Sequence, residues 1–152
     1  MANPMYGQNK ADEHVDYQPK IAKIAINGGN AVTATSHAAG DHGLSWANPE
    51  GEDIIVEAVI LDVTTAATGS ATMDIGVAAN GTTTSATLID GVDVGSAAIL
   101  ATNGVNGGTD GKTFVPMTST QYITGDASAS IAGLVGNMWV KYFVPGKVTK
   151  VS

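Results

Sequence analysis

Residues 52–65, EDIIVEAVILDVTT, constrain the fold more than any other stretch of the chain. In an extended strand Ile55, Val59, Leu61 and Val63 fall on one face, and Ile54, Val56, Ala58 and Ile60 on the other. A strand that is apolar on both faces is either central, or has one face on its own core and the other against a partner subunit. Its length exceeds the usual run of about five to six residues, so a β-bulge is expected within it.

The rest of the chain follows the same period. TMDIGVA, 72–78, alternates strictly, with Met73, Ile75 and Val77 inward and Thr72, Asp74 and Gly76 outward. NMWVKYFVP, 137–145, puts Met138, Val140, Tyr142 and Val144 on one face and Trp139, Lys141 and Phe143 on the other. KIAKIAING brings Ile24 and Ile26 to one side and ends in the turn Asn27-Gly28-Gly29. Turn-rich links join about eight such strands, and SATLID after Asn80-Gly81 predicts one helical turn capped by Ser85. Residues 1–19 are polar and aperiodic, and read as an extended N-terminal arm ahead of a domain at 20–152. The predicted fold is all-β: an antiparallel β-sandwich, jelly-roll-like, with that arm.

Composition narrows the function. The chain has 152 residues, room for one domain, and no Cys, so disulfides and thiolate metal sites are excluded. Its net charge is −7, with seven Lys and no Arg. Arg is the usual bidentate reader of phosphate and guanine, so no nucleic-acid partner is expected. No apolar run reaches the length of a membrane span, and the first twenty residues lack the apolar core of a secretory signal; no membrane partner is expected.

Each candidate for chemistry has a plainer structural reading. NGVNGGTDG, 103–111, and DGVDVG, 90–95, bring Asp90, Asp93 and Asp110 together as oxygen donors, yet they lack the repeat or the spacing of known calcium loops. They read as turns, where Asn, Asp and Gly supply left-handed angles. His37 and His42 flank a small-residue loop that does not hold a helical face, so they read as loop histidines rather than zinc ligands. Glu50, Glu52 and Asp53 read as a solvated charge run, not a glycosidase pair. Asn80-Gly81-Thr82 matches a glycosylation sequon and reads as a tight turn. Trp46, Trp139 and Phe143 are the available aromatic platform for a sugar, against a reading as a second core layer or a subunit interface. No catalytic, cofactor or metal residue is assigned, and an enzyme is not expected.

Two longer passages carry a resemblance. NPEGEDIIVEAVILDVTTAATGSATMDIGVAANGTTTSATLIDGVDVG and QYITGDASASIAGLVGNMWVKYFVP, within residues 48–145, resemble small virion structural proteins of tailed bacteriophages, of the capsid decoration (cement) and head-fibre type. The resemblance implies a protein that binds the major capsid protein on the outer shell as a homotrimer at local three-fold positions. It also implies synthesis in the host bacterial cytoplasm and residence on the capsid exterior. The alternative within the resemblance is a head-fibre or tail module that recognises host glycan. On the cement reading, Tyr6, Tyr17 and Pro19 of the arm are the expected shell contacts. The second apolar face of the long strand (Ile54, Val56, Ile60), with Trp139 and Phe143, is the expected subunit interface.

Overall fold

A computed structural model of the protein describes residues 13–15, 19–26, 42–96, 99–145 and 148–150. Among these residues there are eleven strands and no helix. In chain order they are β1 (Glu13–Val15), β2 (Lys20–Ile26), β3 (His42–Ala47), β4 (Ile54–Thr65), β5 (Thr72–Ala78), β6 (Ile89–Asp93), β7 (Ile99–Thr102), β8 (Val115–Met117), β9 (Tyr122–Ala127), β10 (Val135–Phe143) and β11 (Val148–Lys150). The helical turn expected after Asn80 does not form. Ser85 bonds side chain to side chain with Thr87, 3.2 Å apart, in a loop that lies on β5 rather than capping a helix.

Every strand pairing is antiparallel, and the pairs are nested: β1 with β11, β2 with β10, β3 with β9, β4 with β7 and β8, β5 with β6. The chain is thus one long hairpin with its tip at the β5–β6 connection. Two further pairings, β10 with β4 and β9 with β5, roll that hairpin into two main sheets ordered β2-β10-β4-β7, with β8 also on β4, and β3-β9-β5-β6, while β1 and β11 form a separate two-stranded sheet. The expected antiparallel β-sandwich is the fold. Within the expected arm, residues 13–15 supply β1, and Pro19 is exposed; Tyr6 and Tyr17 lie outside the described residues.

The core lies between the sheets. Ile24, Leu61, Met138 and Val140 come from one side, and Leu44, Met73, Ile75, Ile89 and Ile123 from the other. In β10 burial alternates without a break, as its sequence period predicts.

The long strand β4 departs from simple alternation. Tyr142 of β10 pairs with Val56 while its neighbour Lys141 pairs with Ala58, so β4 carries an extra residue between them. The bulge at Glu57 and Ala58 changes the parity of the strand. Ile54 and Val56 therefore share the core side with Val59, Leu61 and Val63, and none of the five is more than 2 % exposed. This corrects the expected division of faces. Without the bulge, one half of the strand would turn its apolar side chains away from the core, at about 1.5–3 kcal/mol for each large one.

The bulged half also lacks a continuous neighbour on its other edge. β7 pairs with residues 60–63 and β8 with 54–56. Asn103 serves the gap: its Oδ1 accepts the Val59 N–H at 3.0 Å, and its own N–H donates to the Val59 carbonyl at 3.3 Å. Its Nδ2 donates to the Lys112 carbonyl at 2.9 Å. Asn103 thus pairs both Val59 backbone groups, its side chain accepting from the N–H and its backbone N–H donating to the carbonyl, which meets the demand that buried backbone groups be paired.

Candidate interaction face

The two sheets treat their outer faces differently. On the four-stranded sheet, Ser45, Thr124 and Gly76 stand in one cross-strand row. The loop between β5 and β6 folds back over this row. Thr124 is fully buried and donates its hydroxyl to the Thr83 carbonyl at 2.8 Å, and the Val77 N–H bonds the Thr87 hydroxyl at 2.9 Å. A Cβ at position 76 would stand 2.3 Å from Ser85 Oγ and 2.6 Å from the Ser85 carbonyl carbon, so only glycine lets the loop lie this close. Asn80 shapes the tip as a turn: its Oδ1 accepts the N–H and hydroxyl of Thr82 and the Thr83 hydroxyl, each at 2.9 Å.

The outer face of the other sheet is open. Register places Lys23, Trp139, Ile60 and Thr102 in one row across β2, β10, β4 and β7. Ile21, Lys141 and Ala58 form the row on one side of it, and Ala25, Asn137, Asp62 and Leu100 the row on the other. Between the first two rows runs a shallow apolar groove of about 160 Å³, lined by Ile21, Ala58, Ile60, Trp139 and Lys141. Ile21 and Leu100 are each 67 % exposed and Ile60 37 %. Lys23 Nζ stands 5.0 Å from the centre of the Trp139 ring, within cation–π range, and Lys141 Nζ is 2.9 Å from Glu57 Oε1. The face is therefore greasy in the middle and charged around it.

This arrangement redraws the expected subunit interface. Ile60, Trp139 and Phe143 do lie on the outer side, the two aromatics half-buried. Ile54 and Val56 are at 0 % exposure inside the sandwich, turned there by the bulge, and are unable to contact a neighbour. Ile21 and Leu100 belong to the face and were missed, whereas Ala58 lies there with Ile60 as simple alternation placed it. A signal existed for Ile21: in KIAKIAI it has the opposite parity to Ile24 and Ile26, so it had to point away from them.

The other candidates settle into structural roles. Asp90 Oδ2 accepts the N–H groups of Thr109 and Asp110 at 3.0 and 3.3 Å, and Asp74 Oδ1 accepts that of Gly91 at 2.7 Å. The Asp90 bonds tie the glycine-rich 103–112 loop to β6, with Gly108 at φ 58° packed onto Asp90, and the Asp74 bond ties β5 to β6. The Ser96 hydroxyl, with the N–H groups of Gly95 and Ser96, holds the Asp93 carboxyl below its usual range. Among the described residues, no three His, Asp or Glu side chains gather as a metal site. β3 begins at His42, and His37 lies outside the described residues.

Of the carboxylates at 50–53, Glu50 is occupied by two donors, the Tyr142 hydroxyl at 2.9 Å and Lys20 Nζ at 2.6 Å. Asp53 accepts the Ser119 N–H at 3.1 Å. Burial, with the Glu50 carboxylate bound to its hydroxyl, pushes Tyr142 up to about 12. Trp46 tilts against the Tyr142 ring, 5.7 Å between centres, in register with the buried Ile123. It belongs to the inner side of the four-stranded sheet, so the three-aromatic sugar platform does not form; only Trp139 and Phe143 share a face. No helix among the described residues is long and apolar enough to cross a membrane. No protein-family model matches the chain, and comparison with curated proteins and with solved structures gave no match.

Proposed function

We propose that this chain is a virion structural protein of a tailed bacteriophage, a capsid decoration protein that binds the outer shell as a trimer and stabilises it. The observation that carries the proposal is the contrast between the two outer faces. One is covered along its Ser45–Thr124–Gly76 row by the protein's own loop, through Gly76 and Thr83. The other keeps Ile21, Ile60 and Leu100 in solvent beside Trp139. A monomer rarely exposes a contiguous apolar face unless a neighbour covers it.

Other features support the same reading. The nested strand order fits a jelly roll, an architecture shared by many viral capsid domains. Of the carboxylates weighed for chemistry, Glu50, Asp53 and Asp90 serve as hydrogen-bond acceptors for the fold. Placed at a local three-fold point of the lattice, a trimer engages the shell at three sites together, and each engagement raises the effective concentration for the next. The arm, with Tyr6, Tyr17 and Pro19, supplies contact area to the major capsid protein. A glycan-binding fibre module is the weaker reading, because Trp46 packs inward.

The test is co-sedimentation with purified phage shells that lack the protein. The full chain is expected to pellet with the shells and to raise their thermal rupture temperature. Deletion of residues 1–12, which leaves β1 in place, is expected to weaken binding at least tenfold without changing the melting of the free protein. Full chain that stays in the supernatant overturns the shell assignment; undiminished binding by the deleted chain overturns the role of residues 1–12, Tyr6 included, and undiminished binding by that chain with Tyr17→Ala added overturns the role of the arm.

A further inference from the structure

Four Asn-Gly pairs occur in the chain, Asn27-Gly28, Asn80-Gly81, Asn103-Gly104 and Asn106-Gly107, and the first lies outside the described residues. In such a pair the glycine nitrogen is placed to add to the preceding side-chain amide, because no Cβ on the glycine hinders the approach. The fold treats the three described pairs differently. We infer that Asn80-Gly81 is a self-modification site: it closes spontaneously to a succinimide, and the isoaspartate product releases the loop that covers the four-stranded sheet.

Asn103 is buried, its Oδ1 takes the Val59 N–H, and its Nδ2 is bonded to the Lys112 carbonyl. Ring closure there has to break both bonds and release ammonia inside the fold. Asn106 is fixed on both sides: its N–H donates to the Thr102 carbonyl at 2.6 Å, and its carbonyl accepts the Asp90 N–H at 3.4 Å. Its Oδ1 also accepts the Thr102 N–H, at 3.0 Å.

Asn80 is exposed, and the bonds to its side chain fall on Oδ1, from the Thr82 N–H and the Thr82 and Thr83 hydroxyls. The ring closed by the Thr82 N–H bond contains both Asn80 Cγ and the Gly81 nitrogen, so electrophile and nucleophile stand on one turn. Negative charge develops on Oδ1 as the nitrogen adds, and donors already aimed at that oxygen stabilise it. Packing also requires the glycine: a Cβ at position 81 would stand 2.7 Å from Ser45 Oγ and 3.3 Å from the Tyr122 ring.

The steps balance with water alone. The Gly81 nitrogen loses its proton to solvent and bonds to Cγ. The Cγ–Nδ2 bond breaks, and Nδ2 takes up a proton and leaves as ammonia. Water then opens the ring. Attack at Cγ leaves an ordinary aspartate; attack at the main-chain carbonyl of residue 80 leaves isoaspartate, whose main chain runs through Cβ and Cγ. In that product the former Oδ1 is a main-chain carbonyl oxygen and the backbone is longer, so the turn that seats Thr82 and Thr83 is lost. The Thr83 carbonyl is the acceptor for the buried Thr124 hydroxyl, so the cover loosens where it is latched.

The test is site-resolved peptide mass spectrometry on the full chain, aged folded and aged unfolded in guanidinium, with fragmentation that separates isoaspartate from aspartate. In the folded chain, conversion at Asn80 is expected to outpace that at Asn103 and Asn106 by about tenfold or more; in guanidinium the three converge. A hydrogen bond of ordinary net strength corresponds to about two- to tenfold in rate, so Thr82→Val and Thr83→Val should each slow Asn80 by that factor. Thr82→Ser, which keeps the hydroxyl, should convert as wild type does. Aged wild type should be cut faster within residues 79–88, whereas Asn80→Ser, with no amide to close, should not change with age. Folded conversion at Asn80 no faster than at the other two pairs, or an equal excess in guanidinium, overturns the inference. So do valine variants that convert at the wild-type rate, or a converted chain whose loop resists protease as before. None of these outcomes bears on shell binding, and a chain that ignores shells leaves this inference standing.

Discussion

Asn103→Ala tests the account of the bulged strand most directly. Asn103 is 5 % exposed and Val59, its partner, 0 %. Removing the side chain takes the acceptor from the Val59 N–H, and neither β7 nor β8 reaches that position. An orphaned buried donor costs about 1–3 kcal/mol, and loss of the part-buried bond to the Lys112 carbonyl adds about 0.5–1.5 kcal/mol, since water can partly replace it. The sum is about 1.5–4.5 kcal/mol. For a chain of this length each kcal/mol lowers the melting temperature by about 2–4 °C, so a fall on the order of 5–15 °C is expected. Urea denaturation measures the free energy, and amide hydrogen exchange at Val59 reports the site. A cost below about 0.5 kcal/mol for the alanine chain, or unchanged protection of Val59, would refute the view that this side chain stands in for a missing strand.

Ile54→Ala should lose about 2–5 kcal/mol in urea melts, whereas Ile60→Ala in the dissociated chain should lose under about 1 kcal/mol, because the bulge puts only the first in the core. Equal losses would contradict that division. Gly76→Val should destabilise by about 1–3 kcal/mol or more and speed proteolysis within residues 79–88, since the Ser85 backbone must move; an intact, equally stable loop would count against its role as a cover. Tyr142 bears on alkaline stability. Its folded-state value near 12 exceeds the unfolded value of about 10, so between these the unfolded chain loses a proton that the folded chain keeps, and stability falls as pH rises. Thermal melts from pH 8 to about 11.5 should show a steeper decline for wild type than for Tyr142→Phe, and parallel slopes would exclude the effect.

The sequence alone determined that this chain is a sheet protein and which side of most strands faces inward. The alternation in TMDIGVA and NMWVKYFV is a local property, because a strand's side chains change face at every residue whatever surrounds them. It also determined the turn at Asn80, whose amide needs only its next three residues. Tertiary structure alone decided the rest. The apolar run at 54–63 carries greasy residues at both parities, so its own pattern was unable to say where parity changes. The pairing of Lys141 and Tyr142 fixes the bulge at Glu57, sends Ile54 and Val56 inward and leaves Ala58 and Ile60 outside. Gly76 looked like an outward position of an ordinary strand until a loop nearly ten residues further along came back to lie on it. The open face is assembled from β2, β10, β4 and β7, which lie far apart in the chain and meet only when the nested hairpin rolls up. Alternation along one strand fixes sidedness; which strands lie beside it, and therefore what a face presents, is a long-range property of pairing.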